Sequence, residues 1–160
     1  MASGRVCHAP VCHWPHPTGY WPSLMPKTLD DFPHRETLGT TLGIEIVEAS
    51  AEKLVATMPV EARHHQPLGY LHGGASVALA ETVASVGAYL AAPEGYITFG
   101  MEINANHLRP KQDGLLTATG TPVYTGRSTA VWQVEIRDEE GTMICVSRCT
   151  LAVVPMEGRG

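Results

Sequence analysis

One carboxylate in an apolar stretch is the residue of this sequence best suited to catalysis. Glu81 is the only charged residue between positions 73 and 92. A buried carboxylate must be paired, hydrogen-bonded, protonated or wet, because an isolated charge is strongly disfavoured in an apolar interior. Ser85 follows four residues later, which on a helix places both side chains on one face. The pair suits a general base with a group that holds water, whereas an exposed or arginine-paired glutamate is the alternative.

A glycine pair stands at the start of the same stretch. Gly73 and Gly74 permit close approach of a ligand to the backbone. The first turn of a helix has N–H groups without intrahelical acceptors, at the positive end of the helix dipole. Such donors stabilise a developing oxyanion, and Gln66 and His72 could add side-chain donors. This combination indicates acyl hydrolysis, although a plain loop-to-helix junction would also explain the glycines.

The carboxylate and the glycine pair cannot easily meet within one chain. Glu81 follows His72 by nine residues, roughly 13 Å along a helix that rises about 1.5 Å per residue. Two antiparallel copies of the helix across a two-fold axis would bring Glu81 of one subunit to Gly73 of the other. The sequence therefore predicts a dimer with shared active sites.

The helix that carries these residues is predicted over 74–90 and has no polar face. A helix of this kind is buried all round, while one sheet covers only one side of it. One broad apolar stripe of the helix is expected to face the sheet, and it consists of Ala75, Leu79, Thr82, Val83, Val86, Tyr89 and Leu90. The opposite side carries mostly small residues and is expected to face wrapping strands or a second subunit. Its residues are Val77, Ala80, Ala84, Gly87 and Ala88. A membrane span is not expected, because a central glutamate costs about 2.5–3.5 kcal/mol in a bilayer.

The remaining pattern predicts an α+β fold with a largely antiparallel sheet. Apolar residues alternate around positions 44–46 and 54–58, with a hairpin connection over 48–52. A short helical segment from Asp30 to Gly39 or Gly43 precedes them. Four more strands are predicted after the helix, separated in part by Asp-Gly and Glu-Gly turns, over 97–105, 115–124, 130–138 and 143–154. Trp132 is expected in the core.

Composition favours one acidic, oligomeric domain. The chain has 160 residues, a net charge of −5 and only 17% charged residues, which favours a buried subunit interface and argues against nucleic-acid binding. Proline is concentrated near the N-terminus, so residues 1–24 are predicted to be a flexible arm and residues 25–160 the domain. In the arm, Cys7-His8 and Cys12-His13 resemble half of a metal site, but the other half is missing, so no metal is expected.

Cysteine usage predicts a reducing compartment. Cys145 and Cys149 are four residues apart on a predicted strand, roughly 13 Å, which is too far for a disulfide. The N-terminus lacks the apolar region of a signal peptide. We therefore expect a cytoplasmic protein.

Three segments resemble a known family: GYLHGGASVALAETVASVGAYL, MEINANHLRP and TGRSTAVWQVEI. They are similar to the hotdog-fold acyl-CoA thioesterases, closest to the branch of the 1,4-dihydroxy-2-naphthoyl-CoA and enterobactin proofreading thioesterases, over about residues 36 to 154. Glutamate rather than aspartate at position 81 argues against the phenylacetyl-CoA branch. The resemblance implies a hotdog fold, in which an antiparallel sheet of about five to six strands wraps a long central helix, and tetramers built as dimers of dimers.

The resemblance also implies catalytic roles. Glu81 would be the nucleophile or the general base for water, and Ser85 would position that water. The Gly73 amide would be the main oxyanion donor. Gln66 and His72 would orient the thioester.

Substrate-binding roles follow from the same resemblance. His107 and Arg109 match positions near the thioester or the pantetheine arm, and Arg127 and Ser128 match coenzyme A contacts. His107, Arg109 and Lys111 also form a cationic cluster that favours a phosphate-bearing ligand, with a solvated loop as the alternative for Arg109 and Lys111.

The expected reaction is hydrolysis of an aromatic or medium-chain acyl-CoA, or of an acyl-carrier-protein thioester, to free acid and thiol. No cofactor is expected, because coenzyme A is part of the substrate. One alternative is an acyl-thioester hydratase or dehydratase, in which His72 would act with the carboxylate. Another is a non-catalytic acyl-CoA sensor, but such a protein should lack Glu81.

Overall fold

The computed structural model describes residues 27–31 and 35–156. The predicted arm over 1–24, with its two Cys-His pairs, lies outside these ranges. After a 3₁₀ turn at Leu29–Asp31, two helices and six strands follow in the chain. The helices are α1 (Leu38–Thr41) and α2 (Gly73–Ala91). The strands are β1 (Glu45–Ala49), β2 (Leu54–Pro59), β3 (Tyr96–His107), β4 (Leu115–Thr125), β5 (Thr129–Asp138) and β6 (Met143–Pro155).

The six strands form one antiparallel sheet in the order β1-β2-β4-β5-β6-β3. Alternate residues of β4, β5 and β6 are buried against the helix, as the period of two predicts. Glycines with positive φ, Gly114 and Gly141, make the predicted turns after Asp113 and Glu140. The predicted α+β class and the order of elements along the chain are confirmed. The strand ends differ by at most two residues, except that β1 continues to Ala49, into the predicted hairpin connection.

The predicted helical segment between Asp30 and Gly43 is much shorter than expected. Among its described residues, 30–31 and 35–43, the helical structure consists of the end of the 3₁₀ turn and of one helical turn, α1. Thr37 and Thr40 close it as a reciprocal capping box, in which each side chain accepts a hydrogen bond from the other residue's backbone N–H.

Helix α2 packs on the sheet through its small residues, which corrects the predicted orientation. Ala80, Ala84, Gly87 and Ala88 are buried together with Leu79 and Val83, whereas Thr82, Val86, Tyr89 and Leu90 are only partly buried. The reason is the volume of Trp132, which is fully buried, as predicted. A Cβ atom at Gly87 would lie 2.5 Å from Cη2 of this indole, so only a small residue allows the helix to approach the sheet.

By length and composition alone α2 could cross a membrane, yet 44% of its most apolar window is buried inside the fold. Here it is the core helix of the sheet.

A bulge in the edge strand β3 decides which of its residues face α2. The pairing of β3 with β6 shifts register between Gly100 and Glu102. Because side chains alternate along a strand, one extra residue reverses the alternation. Thr98 and Gly100 therefore face the helix before the bulge, and His107 faces it after the bulge. This places different parts of β3 beside the middle and the start of α2.

Candidate active site

The start of α2 presents an unpaired backbone donor. His72 is the N-cap residue, and its Nδ1 accepts a hydrogen bond from the Gly74 N–H at 2.8 Å. In the part of the chain that the structure describes, the Gly73 N–H has no acceptor. The amide predicted to stabilise an oxyanion is thus available to a ligand, whereas the next amide is already used by the cap.

Gly73 lines a cavity of about 360 Å³. The ring of His107 packs directly over Gly73, since a Cβ atom there would lie 2.7 Å from its Nε2. Arg109 is exposed at the same cavity. The other lining residues are Gln66, Tyr70, Leu71, Ser76, Leu108, Pro110 and Ile144. The structure therefore brings together four predicted site residues, namely Gly73, Gln66, His107 and Arg109.

The side chain of Gln66 is held in a tight turn at the cavity wall. Its Oε1 accepts a hydrogen bond from the backbone N–H of Leu68, and its own backbone N–H donates to the Tyr70 carbonyl at 2.7 Å. Because the oxygen is occupied, the side-chain NH₂ is the group left to donate to a ligand. This arrangement is compatible with the predicted role in orienting a thioester.

Glu81 lies in the middle of α2, against β3. Its Oε1 occupies the space above Gly100, where a Cβ atom would lie 2.5 Å away. The side chain is partly exposed, and among residues 27–31 and 35–156 the carboxylate has no hydrogen-bond or ion-pair partner. One turn later, the Ser85 carbonyl accepts a hydrogen bond from the Thr98 hydroxyl at 3.2 Å. The carboxylate is therefore only partly exposed and, among the described residues, is not paired with an arginine.

The charge of Glu81 also affects a buried thiol. Burial, together with the smaller effect of the nearby carboxylates of Glu81 and Glu102, raises the pKa of Cys149 to about 11. Cys149 and Cys145 are both buried and free, which confirms that they form no disulfide.

The structure does not bring Glu81 to the Gly73 amide of its own chain. Eight residues of α2 separate them, about 12 Å along the helix axis. One chain thus contains two half-sites, one made by Glu81 and Ser85 and the other by the cavity at Gly73.

Arg127 and Ser128 lie far from the cavity in the same chain. They form the exposed turn between β4 and β5, and the Ser128 carbonyl accepts a hydrogen bond from the Val153 N–H at 2.9 Å. His107 pairs instead with Cys145, eight residues from Val153, which is about 26 Å along β6. Their predicted coenzyme A contacts stay a prediction that requires a second chain.

Lys111 does not belong to a free cationic cluster. Its Nζ lies 2.9 Å from a carboxylate oxygen of Glu139 and 3.8 Å from one of Asp138. The hydrogen bond to Glu139 raises the pKa of Lys111, and a backbone N–H together with Lys111 lowers the pKa of Glu139. The prediction that Lys111 serves a phosphate is wrong, because its charge is already neutralised by the turn between β5 and β6.

Two other histidines have structural roles. The buried His64 donates from Nε2 to the Leu42 carbonyl at 2.9 Å and accepts at Nδ1 from the Glu61 N–H. His65 bonds the Gln112 carbonyl at 2.7 Å. Within residues 27–31 and 35–156, no three His, Cys, Asp or Glu side chains lie close enough to hold a metal ion.

Sequence reasoning missed Ser76 and Gly100. Ser76 lines the cavity, is 1% exposed, and its hydroxyl has no hydrogen-bond partner in the described ranges. A lone polar residue on an apolar helix face was the available signal for it. Gly100 contacts the carboxylate immediately before the β3 bulge, and the sequence offers no comparable signal for either the contact or the bulge.

Known proteins with this sequence pattern are thioesterases. The family model for the thioesterase superfamily matches residues 68–145. The chain is 52% identical over 116 residues to the 1,4-dihydroxy-2-naphthoyl-CoA hydrolase of Listeria monocytogenes, covering 72% of this chain and 94% of the relative. It is 44% identical over 118 residues to the proofreading thioesterase EntH of Cronobacter turicensis, covering 74% and 86%.

A solved structure agrees with these relatives. The crystal structure of the thioesterase HI1161 from Haemophilus influenzae superposes with a TM-score of 0.72 at 49% identity, over 76% of this chain and 85% of that one. The family predicted from the three segments is thereby confirmed. The chain belongs to the thioesterase superfamily and is a hotdog-fold enzyme of the thioesterase class.

Proposed function

We propose that this enzyme hydrolyses an acyl-CoA with an aromatic or medium-chain acyl group at a site shared by two copies of the chain. The observation that carries the proposal is the unpaired Gly73 amide, which faces a cavity while the carboxylate of Glu81 stands unpaired about 12 Å away. An oxyanion donor and a carboxylate are the two groups that acyl hydrolysis needs.

In the proposed reaction the thioester carbonyl accepts a hydrogen bond from the Gly73 amide. Gln66 and His72 orient the thioester, and Glu81 of the partner subunit activates water or attacks the carbonyl directly. Ser85 holds the water in the first case. The products are the free acid and the thiol, and no cofactor takes part.

An acyl-CoA substrate is supported by the name of the Listeria relative, a hydrolase of an aromatic acyl-CoA. Arg109 is exposed beside the cavity and is available to a phosphate-bearing ligand. Arg127 and Ser128 contact coenzyme A in the proposed complex from the second chain. An acyl-carrier-protein thioester is the other substrate to be assayed.

The second copy pairs along β3 in this proposal. β3 is a twelve-residue edge strand, and Phe99 and Met101 on it are each 57% exposed. A long, uncovered edge of this kind is a template for pairing with another chain. Two-fold pairing there places Glu81 of one copy near Gly73 of the other, and two such dimers form the tetramer. We further propose a cytoplasmic location, where free thiols are stable.

Replacing Glu81 with glutamine tests the proposal, because it keeps the shape and removes the charge. With benzoyl-CoA and 1,4-dihydroxy-2-naphthoyl-CoA, and with an acyl-carrier-protein thioester for comparison, we expect kcat to fall on the order of 10²–10⁴-fold in a thiol-release assay. Wild-type turnover in Glu81→Gln would contradict the role of the carboxylate.

Product analysis separates the other candidate functions. A hydratase or dehydratase changes the acyl group without releasing thiol, and a sensor binds acyl-CoA without turnover. Either result with the wild-type protein would overturn the proposed hydrolysis.

A further inference from the structure

The backbone conformation at position 100 does not require glycine. Gly100 is not among the glycines of positive φ in this chain, so its backbone would accept any residue. Glycine in a strand interior is also unfavourable, because it loses more conformational entropy than other residues and has no side chain to pack. The reason for glycine at this position is therefore the space beside it.

That space is filled by one side chain. A Cβ atom at position 100 would lie 2.5 Å from Oε1 of Glu81, 3.5 Å from its Cδ and 3.9 Å from its Cγ, and these are the three nearest atoms. A clash with the end of a flexible side chain is relieved by rotation of that side chain. An alanine at position 100 would thus move the carboxylate and leave the fold in place.

We propose that Gly100 is a positioning residue, whose missing side chain reserves the site occupied by the Glu81 carboxylate. The inference rests on the proposed function, in which Glu81 does the chemistry. The bulge next to Gly100 contributes, because it keeps Gly100 facing α2 while the rest of β3 continues to His107 over Gly73. A single strand irregularity thus serves both half-sites.

The test is Gly100→Ala, measured for activity and for stability. We expect kcat to fall roughly 10- to 100-fold, because displacing a catalytic group by about 1 Å costs up to about 10²-fold in rate. KM should stay within about 2-fold, since the cavity at Gly73 is unchanged. The melting temperature should stay the same or rise, because alanine restricts the unfolded chain more than glycine.

Gly120→Ala is the matched control, since it also adds one methyl group to a strand glycine that faces α2. There the Cβ atom would lie 2.5 Å from Cγ1 of Val83 in the core, which cannot rotate out of the way. We expect this variant to lose stability and to keep kcat per folded molecule within about 2-fold.

A double-mutant cycle shows whether Gly100 acts through Glu81. Aspartate at position 81 is one methylene shorter and does not reach the space above Gly100, so Gly100→Ala should change the residual kcat of Glu81→Asp by less than about 2-fold. An equal loss in both backgrounds, or a fall in stability in parallel with kcat, would overturn the inference.

If Glu81→Gln abolishes turnover and Gly100→Ala does not reduce it, this inference fails and the proposed function stands. If Glu81→Gln retains full turnover, both fail.

Discussion

At the residue scale, one imidazole ring organises the start of α2. His72 is not among the most common N-cap residues, yet its Nδ1 takes the place of the usual side-chain oxygen and accepts from the Gly74 N–H. Its backbone N–H donates to the His64 carbonyl at 2.8 Å, which fixes the preceding loop to the helix. The cap occupies the Gly74 N–H and leaves the Gly73 N–H without an acceptor among the described residues.

Replacing His72 should therefore weaken the fold as well as the site. We expect His72→Ala to lower the free energy of unfolding by about 1 kcal/mol, the usual cost of a lost N-cap, and His72→Asn to restore most of it. Urea unfolding at one fixed protein concentration measures this, with an unchanged m-value in all variants. An asparagine variant as unstable as the alanine variant would show that the cap is not the source of the loss.

At the element scale, the packing of α2 on the sheet depends on small residues opposite one large one. Gly87 and Gly120 both border the ring of Trp132, from the helix and from β4 respectively. The helix comes close to the sheet here, while Glu81, on another side of the helix, lies beside Gly100 of β3. The close packing on Trp132 thus explains part of the reason why helix α2 has no polar face.

Gly87→Ala tests this packing, because its expected effect on stability is opposite to the effect of the same substitution in an exposed helix. In an exposed helix this substitution stabilises by up to about 1 kcal/mol, because alanine has the higher helix propensity. Here we expect a net loss of stability, since overpacking typically costs about 1–3 kcal/mol and the new methyl group would meet Trp132.

Thermal unfolding, followed by circular dichroism, is the measurement. Gly39→Ala in α1 is the control, because its Cβ atom would make an ordinary 3.5 Å contact with Oγ1 of Thr37. A stabilised Gly87→Ala variant would contradict this account of the packing.

At the scale of the whole molecule, one chain has two half-sites and an unpaired edge strand. Glu81 and Ser85 lie on one half-site, and Gln66, Gly73 and His107 on the other. Residues that act together but lie far apart in a chain suit a symmetric dimer, in which each half-site meets the other half of its partner.

Shared sites predict complementation between two weak variants. Glu81→Gln and Gln66→Ala damage opposite halves, so a mixed dimer has one doubly damaged site and one intact site. After subunit exchange of an equal mixture, half of the dimers are mixed, and we expect about one quarter of wild-type kcat. Native mass spectrometry verifies the exchange. Activity that stays at the mean of the two parents, despite exchange, would place each site within one chain.

Local patterns in the sequence were sufficient to predict the long helix and the strands, and they identified Glu81 and the glycine pair as candidate site residues. Alternation in β5 and β6 shows which residues share a sheet face, and the apolar stretch around Glu81 shows that the carboxylate is unusual. The glycine pair after His72 marks the helix start. These signals are local because backbone period, capping and turn chemistry depend on neighbours along the chain.

Contacts between distant segments were decided only by the tertiary structure. Periodicity groups the residues of α2 into faces but does not say which face meets the sheet, and the volume of Trp132 decided that. The ion pair of Lys111 with Glu139 depends on two turns that meet only in the fold. The bulge at Gly100 reverses the alternation of β3 and places that glycine under Glu81. Side-chain volumes and strand register are properties of the packed molecule, because they depend on residues far apart in the chain.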